Sequence, residues 1–125
     1  MENDNVNFKK EFKARLYNWV LRLIKFISKS PKSSVNEVIH KQLLRSGTSI
    51  LANYIEANSA SSRKDFINFF THSLKSANES KVWLALLRDT KQGNQEELNH
   101  LLEELVEIAN VIVASILTLK NKNKR

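Results

Sequence analysis

Apolar residues recur every three or four positions through most of the chain, which is the spacing of one face of an α-helix. Three polar stretches, residues 30–34, 58–62 and 92–94, interrupt this pattern. Pro31 disfavours helix at the residue before it, and Gly93 suits the end of a helix. The pattern therefore predicts four helices over residues 7–29, 35–58, 63–91 and 95–121.

The first, third and fourth predicted helices each have one apolar face. That of the first consists of Phe8, Phe12, Leu16, Trp19, Leu23, Phe26 and Ile27. Four helices of about 23 to 28 residues with short connections are typical of an up-down-up-down bundle. We therefore expect an all-α, antiparallel four-helix bundle that forms a single domain over residues 1–125, with a flexible basic tail at about 120–125.

The second helix has two apolar faces and a polar stripe. Besides its core face, it carries a second apolar set of Leu44, Leu51 and Ile55. The polar stripe consists of Gln42, Arg45, Ser49, Asn53 and Glu56. In a bundle of only four helices one face meets solvent, so the second apolar set predicts contact with another subunit. The alternative is that these are scattered exposed apolar side chains, which are common on protein surfaces.

Composition narrows the range of functions. The chain has 125 residues with two Gly, one Pro and no Cys, which argues against an all-β fold, a disulfide framework and a cysteine-based metal site or nucleophile. No apolar run approaches the roughly 20 residues of a membrane span, and the polar N-terminus is unlike a signal peptide. We therefore expect a cytoplasmic protein that does not contact membranes.

The charge is strongly basic and unevenly distributed. The net charge is +7, and residues 1–34 carry eight basic and three acidic side chains. Residues 92–119 hold five Glu and neither Lys nor Arg, whereas Lys120, Lys122, Lys124 and Arg125 close the chain. A basic surface of this kind favours polyanionic partners.

The second and third helices resemble a known family. The residues that carry the resemblance are Gln42, Arg45, Ser49, Ile50, Asn53, Glu56, Ser62, Lys64 and Phe66, with Asp65 in place of the family's Glu. They are similar to the four-helix-bundle proteins encoded in intervening sequences of bacterial large-subunit ribosomal RNA genes. The accessory variability proteins of diversity-generating retroelements are similar in fold. This chain departs from the family pattern at Ala57, Ser59 and Lys75, where the family often has glycine.

The resemblance implies a homo-oligomer with a role in nucleic-acid biology, and a pentameric ring is its expected form. It implies no catalytic activity. Together with the basic surface, it favours a non-enzymatic accessory protein that binds structured RNA or DNA, with a reverse transcriptase as a possible associated enzyme. The rival hypothesis is a protein-interaction scaffold without direct nucleic-acid binding.

The candidate phosphate contacts lie on the first helix and in the tail. They are Arg15, Arg22, Lys25, Lys29, Lys120, Lys122, Lys124 and Arg125. Such contacts would be independent of base sequence, because phosphates carry no base information. The alternatives are a solvated face for the helix and, for the tail, lysines that complement the helix dipole. Pairing of the glutamates of the fourth predicted helix with the first helix across subunits would also neutralise this charge.

The polar stripe has two interpretations. Its residues either bind a ligand at the bundle surface, or form a structural network in which Arg45 pairs with a carboxylate such as Glu56 or Glu79. We favour the structural interpretation, since arginine has several fixed donors that satisfy acceptors on neighbouring helices.

Two Glu-x-x-His pairs, Glu37 with His40 and Glu97 with His100, resemble half of a di-iron site. Both pairs fall outside the predicted apolar faces, and the other carboxylates are badly placed to complete a buried site. No phosphate-binding glycine loop or catalytic triad pattern is present. We therefore expect no metal, no cofactor and no enzymatic activity.

Overall fold

The computed structural model describes the backbone of residues 2–123 and the side chains of residues 7–122. It contains four helices: α1 (Glu2–Lys29), α2 (Ser34–Asn58), α3 (Arg63–Asp89) and α4 (Gln95–Asn123). The predicted all-α four-helix bundle is confirmed. Helix α4 continues to Asn123, so the described part of the basic tail is helical.

Polar side chains fix the starts of α2, α3 and α4. The hydroxyl of Ser33 accepts a hydrogen bond from the backbone N–H of Asn36, and the hydroxyl of Ser62 accepts one from Asp65. The side-chain oxygen of Asn94 accepts a hydrogen bond from the Glu97 N–H at 3.0 Å. Each interaction satisfies a backbone donor that the first turn of a helix leaves free. The Ser34-x-x-Glu37 spacing in the sequence predicts a cap at Ser34, one residue later than the cap that the structure shows.

The turn between α3 and α4 requires glycine at position 93. Gly93 has φ of +88°, a conformation that other residues rarely adopt, and a Cβ there would lie 2.9 Å from the ring of Phe26. The glycine thus allows the start of α4 to approach the end of α1. This contact forms one end of the groove described below.

The core fills the space between all four helices. Its fully buried members include one or more leucines or isoleucines from every helix: Leu16, Leu23, Leu43, Ile50, Leu84, Leu87, Leu98, Leu101, Leu105, Ile108 and Ile112. At one end Tyr54 lies between Phe12 and Phe70, with both ring pairs in edge-on geometry. Each buried side chain of this size contributes about 1.5–3 kcal/mol relative to an exposed one, so the core supplies most of the driving force for folding.

Small residues let the helices approach closely. Gly47 packs against α1, where an added Cβ would lie 2.5 Å from the Leu23 side chain and 3.3 Å from the Trp19 ring. Between α2 and α3, the buried hydroxyls of Ser46 and Ser80 are 2.7 Å apart, and Ser73 donates to the Ile50 carbonyl. Helices α2 and α3 form the most extensively packed pair in the described part of the chain.

Helices α1 and α4 make the least extensive of the four interfaces between helices in the described part of the chain. They are joined in the core by the Trp19 indole N–H, which donates to the Leu101 carbonyl at 3.0 Å. A groove beside this contact is lined by residues of both helices. In residues 2–123 no helix is both long enough and apolar enough to cross a membrane.

One residue of the predicted apolar face is not in the core. Phe8 is 50% exposed, although it follows the same helical spacing as Phe12, which is 4% exposed. Tyr54 of α2 reaches the Lys9 carbonyl only four residues before α2 ends at Asn58. The apolar face of α1 therefore extends to the level at which α2 ends. Periodicity alone does not reveal where the neighbouring helices stop burying that face.

Candidate nucleic-acid interface

The groove between α1 and α4 contains three of the predicted phosphate contacts. It has a volume of about 620 Å³ near the end of α1, and its lining includes Arg22, Lys25 and Lys29. Buried Phe26 and Ser30 contribute to its inner wall, and Asn18, Leu21, Asn94 and Glu97 complete the lining. The groove thus combines cations, amide groups and an apolar surface.

The arginines of α1 are paired with glutamates of α4. Arg22 donates from Nε to Glu97 Oε1 at 2.5 Å and from Nη2 to Glu97 Oε2 at 3.2 Å. Arg15 donates to Glu104 and, at 2.7 Å, to Glu107. The sequence analysis considered such pairing across subunits, and the structure instead forms it within one chain. Two of the predicted phosphate-binding cations are therefore already neutralised by neighbouring carboxylates.

These pairs change the titration of both partners. The hydrogen bond from Arg22 lowers the pKa of Glu97 below its ordinary value, with smaller contributions from nearby charges that include Lys29. The hydrogen bond from Arg15 likewise lowers the pKa of Glu104. In return, the hydrogen bond to Glu104 raises the pKa of Arg15. All four groups are consequently charged at neutral pH.

Lys25 and Lys29 differ from the arginines. Both side chains are exposed, and neither forms an ion pair with another side chain among residues 7–122. They are the groove cations without an ion-pair partner among the described side chains, and Lys29 is close enough to Glu97 for its charge to lower the pKa of that carboxyl group. The structure thereby divides the predicted α1 set into two paired arginines and two available lysines.

The tail residues lie far from this groove. Lys120 and Lys122 are exposed in the last turn of α4, at the opposite end of the bundle from the groove. Lys124 and Arg125 fall outside the described residues. The predicted phosphate contacts therefore do not form one continuous surface in a single subunit.

One residue of the polar stripe of α2, Arg45, connects α2 to α3. Arg45 donates to Gln42 Oε1 at 3.1 Å and to the carboxylate of Glu79 on α3. Ser49 donates to the Arg45 carbonyl at 2.8 Å, and Asn53 donates to the Ser49 carbonyl at 2.9 Å. These contacts support the structural interpretation of Arg45. Glu56, the last residue of the stripe, is exposed.

The second apolar face of α2 is only partly covered in the single chain. Leu44 is 39% exposed and Ile55 is 41% exposed, while Leu51 is half-buried. On α1, Tyr17 and Ile24 are 53% and 41% exposed. These side chains provide apolar surface for another molecule, so subunit contact at this face stays an open prediction.

The two Glu-x-x-His pairs do not converge on a metal site. Among the described residues, no group of three or more His, Cys, Asp or Glu side chains is arranged to hold a metal ion. His40 nevertheless differs from the sequence prediction, which placed it outside the core. It is only 8% exposed, its Nε2 has no hydrogen-bond partner within the described part of the chain, and burial lowers its pKa.

Comparison with known proteins assigns the family. The family model described as the 23S rRNA-intervening sequence protein matches residues 10–114. The chain belongs to this family. The match includes the groove-lining part of α1 and the whole of α2 and α3, and it ends before the basic tail.

A solved structure supports the assignment. The chain is similar to a protein of unknown function of the S23 ribosomal protein family from Bacteroides thetaiotaomicron, with 37% sequence identity and a TM-score of 0.75. The alignment covers 84% of this chain and 97% of that protein. No curated protein matches the sequence. The predicted resemblance to intervening-sequence proteins is confirmed, and the link to retroelement accessory proteins stays a prediction.

The sequence analysis missed two kinds of groove residue. Asn18 and Asn94 line the groove, but isolated asparagines on a polar face carry no sequence signal for binding. Leu21 and Phe26 also line it, and Phe26 was assigned only to the core. Antiparallel pairing of α1 with α4 was the available signal, because it places the end of one helix beside the start of the other.

Proposed function

We propose that this chain is a non-enzymatic accessory protein that binds structured RNA through exposed lysines at the α1–α4 groove. The observation that carries the proposal is the pair Lys25 and Lys29, exposed and unpaired among the described side chains, in a member of the 23S rRNA-intervening sequence family. When an unpaired lysine binds a phosphate, counterions are released from the nucleic acid, and this release drives association at low salt. DNA presents the same phosphates and is the alternative nucleic acid.

Self-association belongs to the same proposal. A ring of subunits would repeat the lysine pair around an axis and so strengthen binding to a polyanion through multivalency. The exposed apolar side chains Leu44 and Ile55 are the proposed subunit contact, together with the half-buried Leu51. The pentameric state and an association with a reverse transcriptase rest on the family resemblance alone, and a cytoplasmic location is the compartment in which RNA would be met.

The first test is RNA binding by fluorescence anisotropy over a salt series, with a hairpin RNA as the probe. We expect affinity to fall steeply with salt, and Lys25→Glu with Lys29→Glu to weaken binding at least tenfold at 50 mM salt. Lys41→Glu with Lys75→Glu is the matched control, because it makes the same charge change at exposed positions away from the groove. Equal losses in the two double variants would contradict a specific role for the groove.

The second candidate function is a protein-interaction scaffold. It is favoured by the pairing of Arg15 and Arg22 with α4, which leaves less positive charge for phosphates than the sequence alone indicates. Absence of RNA binding at 50 mM salt, in protein whose oligomer is intact by light scattering, would establish the scaffold as the better hypothesis.

A further inference from the structure

The fold gathers lysines from separate parts of the sequence at one end of the bundle. The start of α1, the turn from α2 to α3 and the end of α4 all lie at this end. Its exposed lysines are Lys9, Lys10, Lys64, Lys120 and Lys122. None of the five forms an ion pair with another side chain among residues 7–122. We call this group the terminal lysine cluster.

An exposed aromatic ring accompanies the terminal lysine cluster. Phe8 is 50% exposed and stacks on buried Phe12, with ring centroids 6.0 Å apart and planes only 5° from parallel. Because Phe12 is held in the core by Tyr54, the Phe8 ring rests on a fixed support. The sequence analysis placed Phe8 on the predicted apolar face of the first helix.

The register of the helices places this ring inside the lysine cluster along the bundle axis. Trp19 lies opposite Leu101 and Arg22 lies opposite Glu97, so Phe8 falls at the level of Ile112. Helix α4 then continues to Asn123, roughly 15 Å farther, and carries Lys120 and Lys122 past the ring. Lys9 adjoins Phe8 in sequence, near the end of α2.

We propose that this end of the bundle is a binding site for single-stranded RNA, with Phe8 as the stacking surface for one unpaired base and the terminal lysine cluster as the phosphate contacts. The proposal deepens the RNA-binding function proposed above and rests on it. Aromatic rings beside lysines are the combination by which proteins hold single strands, since every base has a face that stacks and every nucleotide has a phosphate.

The charge balance at this end favours a polyanion. Among the side chains of residues 7–122, the acidic ones at this end are Glu11, Glu56 and Asp65, all exposed, and they are fewer than the five lysines. In the sequence, Glu2 and Asp4 at one end of the chain are matched by Lys124 and Arg125 at the other. Lys120 and Lys122 lie on a helix segment that carries no acidic residue after Glu107. The arginines of the groove are paired with glutamates, whereas these lysines are available. The terminal lysine cluster is therefore a second surface, separate from the groove.

The stacking contact is tested with Phe8→Leu in the full chain. The probes are a 12-nucleotide single-stranded RNA and the duplex formed with its complement. We expect binding of the single strand to weaken about tenfold, because base–aromatic stacking is lost while an apolar side chain is kept. Duplex binding should not change, since its bases are already stacked. Equal effects on strand and duplex, or no effect on either, would overturn the assignment of Phe8.

The phosphate contacts are tested with Lys9→Gln, Lys10→Gln and Lys64→Gln in one variant. Each lost contact lowers the slope of log affinity against log salt by about 0.7 for a single strand, so we expect the slope to fall by about 2. The matched control is Lys41→Gln, Lys75→Gln and Lys91→Gln, which removes the same charge at exposed positions elsewhere. Identical slopes for the two triple variants would overturn the terminal lysine cluster as the site.

These results separate the two proposals. Salt-dependent RNA binding that is insensitive to Phe8→Leu and to the triple variant overturns the terminal site and leaves the groove proposal standing. No RNA binding by the unsubstituted chain at 50 mM salt overturns both. A circular dichroism melt of each variant checks that the bundle is folded. We expect it to be, because every substituted side chain is exposed.

Discussion

At the scale of single residues, buried polar groups divide into those that are satisfied and those that are not. The hydroxyls of Ser46, Ser73 and Ser80 all have hydrogen-bond partners in the core. The Nε2 atom of His40 is buried without a partner in the described part of the chain. An unpaired buried nitrogen costs stability, and the cost rises if the ring becomes charged.

His40 therefore predicts a pH dependence of stability. Burial lowers its folded-state pKa below the unfolded value, so the unfolded chain binds the proton more readily. The part of the free energy of unfolding that depends on neutral His40 is fully present above about pH 6.5. It falls as the pH drops below that value, at most by about 1.4 kcal/mol per pH unit. We expect urea unfolding to show this loss between pH 7.5 and 5.5, and His40→Leu to abolish it.

His72→Gln is the control for that experiment, since His72 is exposed. The lowered pKa values of Glu97 and Glu104 act in a different window, because stability from depressed carboxyl groups is lost only as the pH falls through their folded pKa values, below about 4.5. A slope that survives in His40→Leu would contradict the assignment to His40.

At the scale of helices, α1 and α4 are held together by one contact in the core and by ion pairs at the surface. Trp19 joins the two helices in the core, and Arg15 and Arg22 join them at the surface. The guanidinium and carboxylate groups are partly exposed, and such pairs typically contribute about 0–1 kcal/mol each. Their main consequence is electrostatic, since they neutralise the middle of α1 and leave free lysines toward its two ends.

Releasing Arg15 tests this consequence. Glu104→Gln with Glu107→Gln removes both carboxylates that hold Arg15, and the side-chain shapes are nearly unchanged. If RNA passes along α1, an added phosphate contact should strengthen binding up to about tenfold at 50 mM salt, in anisotropy measurements with the hairpin probe. Glu96→Gln with Glu103→Gln gives the same charge change at exposed α4 positions that form no ion pair within residues 7–122. Equal gains in both variants would indicate a general charge effect instead of release of Arg15.

Helix periodicity predicted the bundle well because the relevant information is local. The apolar spacing and the polar breaks located all four helices. Partners between helices were harder to predict. That Arg15 pairs within its own chain, or that His40 is buried, depends on how far the helices are apart, and periodicity carries no such distance.

The same reasoning explains Phe8. Its spacing is that of a core residue, but core burial also requires other helices at the same height, and α2 ends beside it. A charge run in the sequence marked Lys25 and Lys29 as candidate phosphate contacts, and they stay a prediction. The tail likewise marked Lys120 and Lys122, whereas Lys9, Lys10 and Lys64 joined the proposed terminal site only when the fold brought the ends of several helices together.

At the scale of the whole molecule, a single chain leaves apolar surface on α1 and α2 exposed to solvent. Tyr17 and Ile24 are exposed on α1, and Leu44 and Ile55 are exposed on α2. Single exposed apolar residues are common, but a second apolar face on a helix is typical of one covered by a partner. In the polar stripe of α2, Arg45 is already paired with Glu79 of α3.

Self-association through this face is tested by Leu44→Glu with Ile55→Glu. Burying two carboxylates without partners in an interface is unfavourable, so we expect the oligomer to dissociate to a species of 14.4 kDa. Multi-angle light scattering measures the mass, and the resemblance predicts five copies for the unsubstituted chain. Val35→Glu is the control, because Val35 is 69% exposed on a different face of α2. An unchanged mass in the double variant would place the subunit contact elsewhere, and a monomeric unsubstituted chain would remove multivalency from the RNA-binding proposal.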